Sequence, residues 1–157
     1  MKGELLQQLI TQLTKTIKDL QIYAENERNA ALQAPSRMES RYDSEKQEAS
    51  YRANELIERK YFIEQIIQTL TSFASTLPAV CEQVKMGALI KTQDEAGTIR
   101  NYFILPAGEG EVISRETPQD HIFILSPNSP LFPLLENKKL NDTYLFRDKQ
   151  FTITDII

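Results

Sequence analysis

Apolar residues recur at Leu6, Ile10, Leu13, Ile17, Leu20 and Ala24 in alternating steps of four and three, with Ala31 one heptad further on. That spacing keeps one stripe of a helix facing a single neighbour. The stretch has no proline and its one glycine, Gly3, stands at the start, so the pattern predicts a helix over about 4–32. A second seam begins at Tyr42 and returns every seven residues through Ala49, Leu56, Ile63, Leu70 and Leu77, reinforced by Ala53, Ile67 and Ala74. Between the two, Pro35 breaks the first helix, and Ser36-x-x-Glu39 reads as a capping box that opens the second. A link this short predicts an antiparallel coiled-coil hairpin over 1–77 with its tip at about 33–38. Folding the seams about that tip sets Leu20 opposite Ala53 and Leu13 opposite Lys60 or Ile63. The alanines then gather near the tip and the large residues near the base, the pattern of a hairpin that projects from an anchoring domain.

Pro78 closes the second seam, and the chain changes to short runs rich in β-branched and aromatic residues. These predict strands over 87–92, 98–105, 112–114, 121–125, 143–147 and 150–156, separated by turn sequences at 94–97, 106–110 and 147–149. Ser129-Pro130 reads as an N-cap with proline in the first turn, opening a short helix through about residue 137. The expected architecture is α+β: the hairpin of 1–77, then a small antiparallel sheet with one short helix over 78–157.

Composition narrows what this architecture can do. The 157 residues carry 18 Lys+Arg against 22 Asp+Glu, a net charge of −4 with no long basic run, which points away from direct nucleic-acid binding. A single cysteine, Cys81, closes no intramolecular disulfide, and its ordinary place is a small buried apolar position. The only histidine, His121, has no partner for a zinc site and reads as a strand residue with a satisfied ring nitrogen. No glycine-rich phosphate loop is present. Without a signal-peptide apolar region or a stretch near the ~20 residues of a membrane span, the chain is expected to be a cytoplasmic monomer.

One group of residues has chemistry to offer. Glu39 and Asp43 share a helical face near the hairpin tip, with Glu45 and Glu48 on another flank. Two hard oxygen donors on a projecting tip suit a divalent ion in a partner's cavity. Equally, Glu39 completes a cap, and the other acids alternate with Arg41, Lys46 and Arg52 as a solvated helical surface.

The segment Leu125-Ser126-Pro127-Asn128-Ser129-Pro130-Leu131, followed by Leu135, Lys138 and Asp142, resembles the I-S-x-x-S-P-[I/L] turn, short helix and K-x-x-x-D of the GreA/GreB transcription elongation factors. The last strand, Phe151 to Ile156, also occupies that family's place, and a coiled coil before an FKBP-like domain is its architecture. The resemblance implies a non-enzymatic factor that docks its C-terminal domain on the rim of RNA polymerase's secondary channel and reaches toward the active centre with its hairpin. Polymerase is then the partner, nucleic acid is met only indirectly, and no cofactor is carried beyond a magnesium ion shared through Asp43. Such a shared ion clamps the attacking and leaving oxygens during transcript hydrolysis, so the factor supplies only a well-placed carboxylate. Docking falls to Asn128, Ser129, Pro130 and Leu131, a turn expected to display an apolar residue beside free backbone N–H groups, the alternative being that Leu131 and Leu135 plug the core of the sheet.

The tip departs from the family's D-x-x-E-N-x-E-Y. Aligned on Tyr51, the acidic positions hold Ser44 and Gln47, and Lys46 follows Asp43 by three residues. The expectation is therefore channel occupancy with weak or no stimulation of transcript cleavage, Glu39 and Asp43 being the acids nearest to the role. Two other readings stay open: an FKBP-like peptide-binding or peptidyl-prolyl isomerase module, and a coiled-coil scaffold. The absence of tryptophan weighs against an isomerase pocket, and fold alone does not carry that activity.

Overall fold

The computed structural model describes residues 1–33 and 41–157, with side chains over 1–33 and 44–157. Two long helices, α1 (Lys2–Gln33) and α2 (Arg41–Ala74), precede six strands and a third helix, an α+β fold. Pro35, Ser36 and Glu39, and with them the expected capping box and tip, lie outside the described residues. By its internal contacts the chain divides into one unit of Ile10–Gln68 and another of Met1–Leu9 with Thr69–Ile157.

Within Ile10–Gln68, the two seams become the buried faces: Leu13, Leu20 and Ala24 on α1, and Ala49, Ala53 and Ile63 on α2. Arg52 Nε reaches Glu27 Oε2 at 3.1 Å, and Leu20 and Lys60 line one shallow recess. Later residues of α1 thus meet earlier residues of α2, so the helices are antiparallel. Their register differs from the expected one. Pairing Leu20 with Ala53 would have put Lys46 opposite Glu27, whereas Arg52 stands there, six residues further along. A heptad seam matches itself again after about one repeat, so periodicity alone does not choose between the two registers. The ion pair and the small Ala24, which shares the recess with Leu56, go with the observed one.

In the second unit the strands are β1 (Leu89–Asp94), β2 (Ile99–Ile104), β3 (Val112–Ile113), β4 (Ile122–Leu125), β5 (Thr143–Phe146) and β6 (Lys149–Ile156). They form one sheet in the order β3-β4-β2-β1-β6-β5. Every neighbouring pair is antiparallel except β2 and β4, which run parallel with Tyr102 beside Phe123 and Ile104 beside Leu125. The sheet is therefore mixed rather than wholly antiparallel. β3 pairs antiparallel with β4 at the edge of the sheet, and β4 fills the space between β3 and β2. That crossover is a tertiary choice that strand patterning does not encode.

Alternation along the strands puts Ile90, Tyr102, Ile104, Leu125, Tyr144, Phe151 and Ile153 into one apolar cluster, where α3 (Phe132–Leu135) adds Phe132 and Leu135. Phe103, Ile113 and Ile124 are buried on the opposite face. The helix expected over 130–137 is one turn long. Leu131 is its N-cap, Pro133 sits in its first turn, and Asn137 adopts a left-handed φ of 64° just beyond its end. α2 stops at Ala74, before Pro78, and the hydroxyls of Ser75 and Thr76 donate to the carbonyls of Ser72 and Phe73 at 3.0 Å. These bonds satisfy helix-terminal carbonyls that have no intrahelical partner.

The first turn of α1 is tied to the sheet by Lys2, only 6% exposed, whose ammonium donates to the carbonyls of Gly87 and Ile157, each at 3.0 Å. Ile157 in turn exchanges backbone hydrogen bonds with Leu89. One buried cation thus joins α1, the approach to β1 and the end of β6. Gly87 itself has a φ of +86°, and a Cβ there would run into the ring of Pro78. Gly87→Ala is expected to cost more than ~2 kcal/mol, since overpacking and an unfavourable φ add. Lys2→Ala is expected to cost ~1–3 kcal/mol through its charged hydrogen bonds. Urea denaturation checks both: each midpoint falls at unchanged slope, and Gly3→Ala, with nothing within 4 Å of the added carbon, leaves it level or higher.

Candidate partner-docking cleft

One turn of helix is too short to cover the apolar face of a six-stranded sheet. α3 lies over one end, and beside it the sheet remains open as a cleft of about 440 Å³. Its floor comes from side chains that alternation places on one face: Arg100 and Tyr102 of β2, Phe123 of β4 and Phe146 of β5. The Tyr102 and Phe123 rings stand 6.1 Å apart and tilted by 46°. Phe123 is 39% exposed, an unusual state for a phenylalanine beside a packed core. Ser129, Pro130 and Leu131 form one wall, with Glu109 and Glu111 near them.

The turn of Ser126–Leu131 is rigid because it consumes its own polar groups. Ser126 Oγ donates to Glu109 Oε2 at 3.1 Å and accepts the Asn128 N–H at 3.3 Å. The Ser129 N–H donates to the Ser126 carbonyl at 2.9 Å, and the Ser129 carbonyl accepts from Phe132 at 3.0 Å. Ser129 Oγ accepts the Leu131 N–H at 3.4 Å. The expected free N–H groups are thus already bonded within the turn. Of the four residues read as the docking site, Asn128 and Pro130 are exposed, while Ser129 and Leu131 are buried. Leu131 belongs both to the core cluster and to the cleft wall.

Two basic residues flank the floor. Arg100 lies 5.8 Å from the centre of the Phe151 ring, and Arg147 5.2 Å from that of Phe146. Neither has a carboxylate within ion-pairing distance among the described residues. Arg147 and Asp148 form the β5–β6 turn with φ of 51° and 60°, the left-handed region. Non-glycine residues adopt it at a cost, and such outliers gather at functional positions. These arginines, Tyr102, Phe123 and Phe146 escaped the sequence reading. The clue was the spacing of Arg100 and Tyr102, two apart on one strand, but their union with Phe123 needs the β2–β4 register.

Elsewhere the expected chemistry stays apart. Asp43 belongs to α2, but its side chain, like all of Glu39, is outside the described residues; Glu45 and Glu48 are exposed. Among the described residues, no group of three or more His, Cys, Asp and Glu side chains is placed to hold a metal ion. His121 accepts the Arg115 N–H on Nδ1 at 3.0 Å, the satisfied ring nitrogen expected of it. Cys81 is buried, with its sulfur 3.7 Å from Lys2 Nζ. No described helix is long and apolar enough to cross a membrane.

No family model matches the chain, and no curated protein matches it. Among solved structures, it is similar to GreA factor homolog 1 (Gfh1) of Thermus thermophilus at 18% identity and a TM-score of 0.37, over 97% of this chain and 94% of that one. A second structure of the transcription factor Gfh1 is similar at 19% identity and a TM-score of 0.36, over 96% and 92%. At these scores the likeness carries no conclusion about function.

Beneath the cleft, Tyr144 stacks on Phe151 at 5.2 Å, and its hydroxyl is closed off from solvent with no partner at hydrogen-bonding geometry. Burial pushes this hydroxyl up to about 12, with Tyr102 adding to the rise and Thr92 and Arg100 opposing it. An unfolded tyrosine loses its proton near ~10. Between these values the unfolded chain sheds a proton that the folded chain keeps, so stability is whole below about pH 10 and falls as pH rises toward 12. Tyr144→Phe is expected to move alkaline unfolding to higher pH and to change stability at pH 7 by less than ~1 kcal/mol. A pH titration of the folded fraction, followed by circular dichroism, checks both.

Proposed function

We propose that this chain is a Gre-like transcription regulator that binds RNA polymerase at its secondary channel and is not itself an enzyme. In this reading residues 78–157 dock on the channel rim while the hairpin of 1–77 occupies the channel. The observation that carries it is the placement of the Ser126–Leu131 turn, the segment most similar to the GreA/GreB motif. It forms a self-bonded wall of an open apolar cleft, with Asn128 and Pro130 turned to solvent. A rigid turn beside exposed aromatic surface costs little conformational entropy on binding, which is what a docking site needs. Asp43, with Glu39, stays the proposed carrier of any carboxylate toward a polymerase-bound magnesium ion; Lys46 nearby competes with that ion, so channel occupancy outweighs cleavage.

Asn128→Arg combined with Pro130→Arg is expected to weaken capture of core polymerase by at least about tenfold. The thermal midpoint should stay within a degree or two, because both residues are exposed and neither side chain bonds into the turn. Equal loss of binding and stability would show the turn to be purely structural. In a backtracked elongation complex, the wild-type chain is expected to slow nucleotide addition and to stimulate transcript cleavage weakly or not at all. Strong cleavage that vanishes with Asp43→Ala or Glu39→Ala would overturn the occupancy reading and make those carboxylates catalytic.

The aromatic floor favours one second reading, peptide binding by an FKBP-like module that acts without polymerase. Peptide affinity with no capture of core polymerase is the result that selects it.

A further inference from the structure

We infer that the cleft takes an acidic, apolar-bearing protein segment, and that Arg100 and Arg147 select it by its carboxylates. This inference rests on the docking reading above and names the chemistry of the segment that the docking site accepts.

The chain has a net charge of −4, yet this apolar cleft is lined by two arginines that form no ion pair with a described residue. Each guanidinium lies over an aromatic ring, Arg100 over Phe151 and Arg147 over Phe146. A guanidinium held on a ring face keeps its in-plane N–H fork open to a carboxylate. The ring also holds the side chain in place, so less freedom is lost when the carboxylate arrives. The Tyr102 and Phe123 rings line the same cleft as the arginines and Ser129–Leu131, and suit an apolar side chain. Glu109 is held at the wall by the Ser126 hydroxyl, and Glu111 lines the same cleft. An acidic occupant gains at Arg100 and Arg147 while a basic one is repelled there. Its volume of about 440 Å³ is within the range of small-molecule pockets, room for a side chain or two of a longer segment.

Arg147 supplies an independent sign. Its left-handed backbone would be relieved by glycine, the residue that such two-residue hairpin turns favour. A bulky cation thus stands where the backbone favours glycine.

The test uses the full chain and three fluorescein-labelled nonapeptides: alternating glutamate and leucine, then glutamine for glutamate, then lysine for glutamate. Fluorescence anisotropy at low and physiological salt reads affinity. The glutamate peptide is expected to bind most tightly and to weaken with salt. Arg100→Glu and Arg147→Glu should each weaken it by about tenfold and improve the lysine peptide. Arg147→Gly should weaken the glutamate peptide while holding or raising the thermal midpoint, whereas Asp148→Gly relaxes the same turn and leaves binding unchanged. Equal affinity for the three peptides, binding of none, or indifference to both arginine reversals would overturn the inference. Capture of core polymerase, measured alongside, separates the two proposals. Polymerase held equally by wild type and arginine variants removes the arginine selection and leaves docking standing. Arginine-dependent peptide binding without polymerase capture removes docking and leaves the selection standing.

Discussion

A sheet buries its apolar side chains only where something lies against them, and in this protein the cover over one face is a single helical turn together with Cys81, Val84 and Ala88 from the segment before β1. Pro133 within that turn and the left-handed Asn137 behind it hold α3 to Phe132–Leu135. Leu131, Phe132 and Leu135 join Cys81, Val84 and Ala88 in the core with Ile104, Leu125 and Ile153, and Phe123 is left 39% exposed. The same shortage that limits the core creates the cleft. Its stability is met elsewhere: β1 is paired on both sides, to β2 and to β6, and Lys2 ties the start of α1 to the carbonyls on either side of β1.

Burial also sorts the residues of the Ser126–Leu131 turn into two kinds. Ser126 and Ser129 spend their hydroxyls and backbone groups inside the turn, so their contribution to any partner is shape. Asn128 and Pro130 face outward and are the residues the docking proposal offers to a partner. Leu131 does both, since one side chain packs in the core and lines the cleft. Substitution at Leu131 therefore cannot separate folding from docking, whereas substitution at Pro130 can. The strained Arg147 and the exposed Phe123 are the complementary case, groups whose state folding alone does not explain.

In the unit of Ile10–Gln68 the heptads are doing one task at a time. Large residues such as Leu13, Leu20 and Ile63 are buried as seam positions. Small ones, Ala24, Ala49 and Ala53, are buried too but add little apolar area, so specificity there falls to polar contacts such as Arg52 with Glu27. Such an exposed pair contributes little energy, yet it distinguishes registers that hydrophobic matching treats as nearly equal.

Local physics determined much of this protein from the sequence alone. Period-seven apolar positions specify α1 and α2, and β-branched runs between turn residues place all six strands to within a residue or two, because helix and strand periods are properties of neighbouring residues. The Ser-Pro segment was legible as a break in the chain but not as the helix cap that its residues suggest, since the N-cap is Leu131 and the helix starts at Phe132. Only the tertiary structure decided the hairpin register, the parallel β2–β4 pairing and the cleft left open beside α3. Each depends on which of several near-equal pairings buries more, a comparison between segments far apart in the chain. Arg100 and Phe123 meet at one opening because two strands lie parallel, and no local pattern in either strand records that.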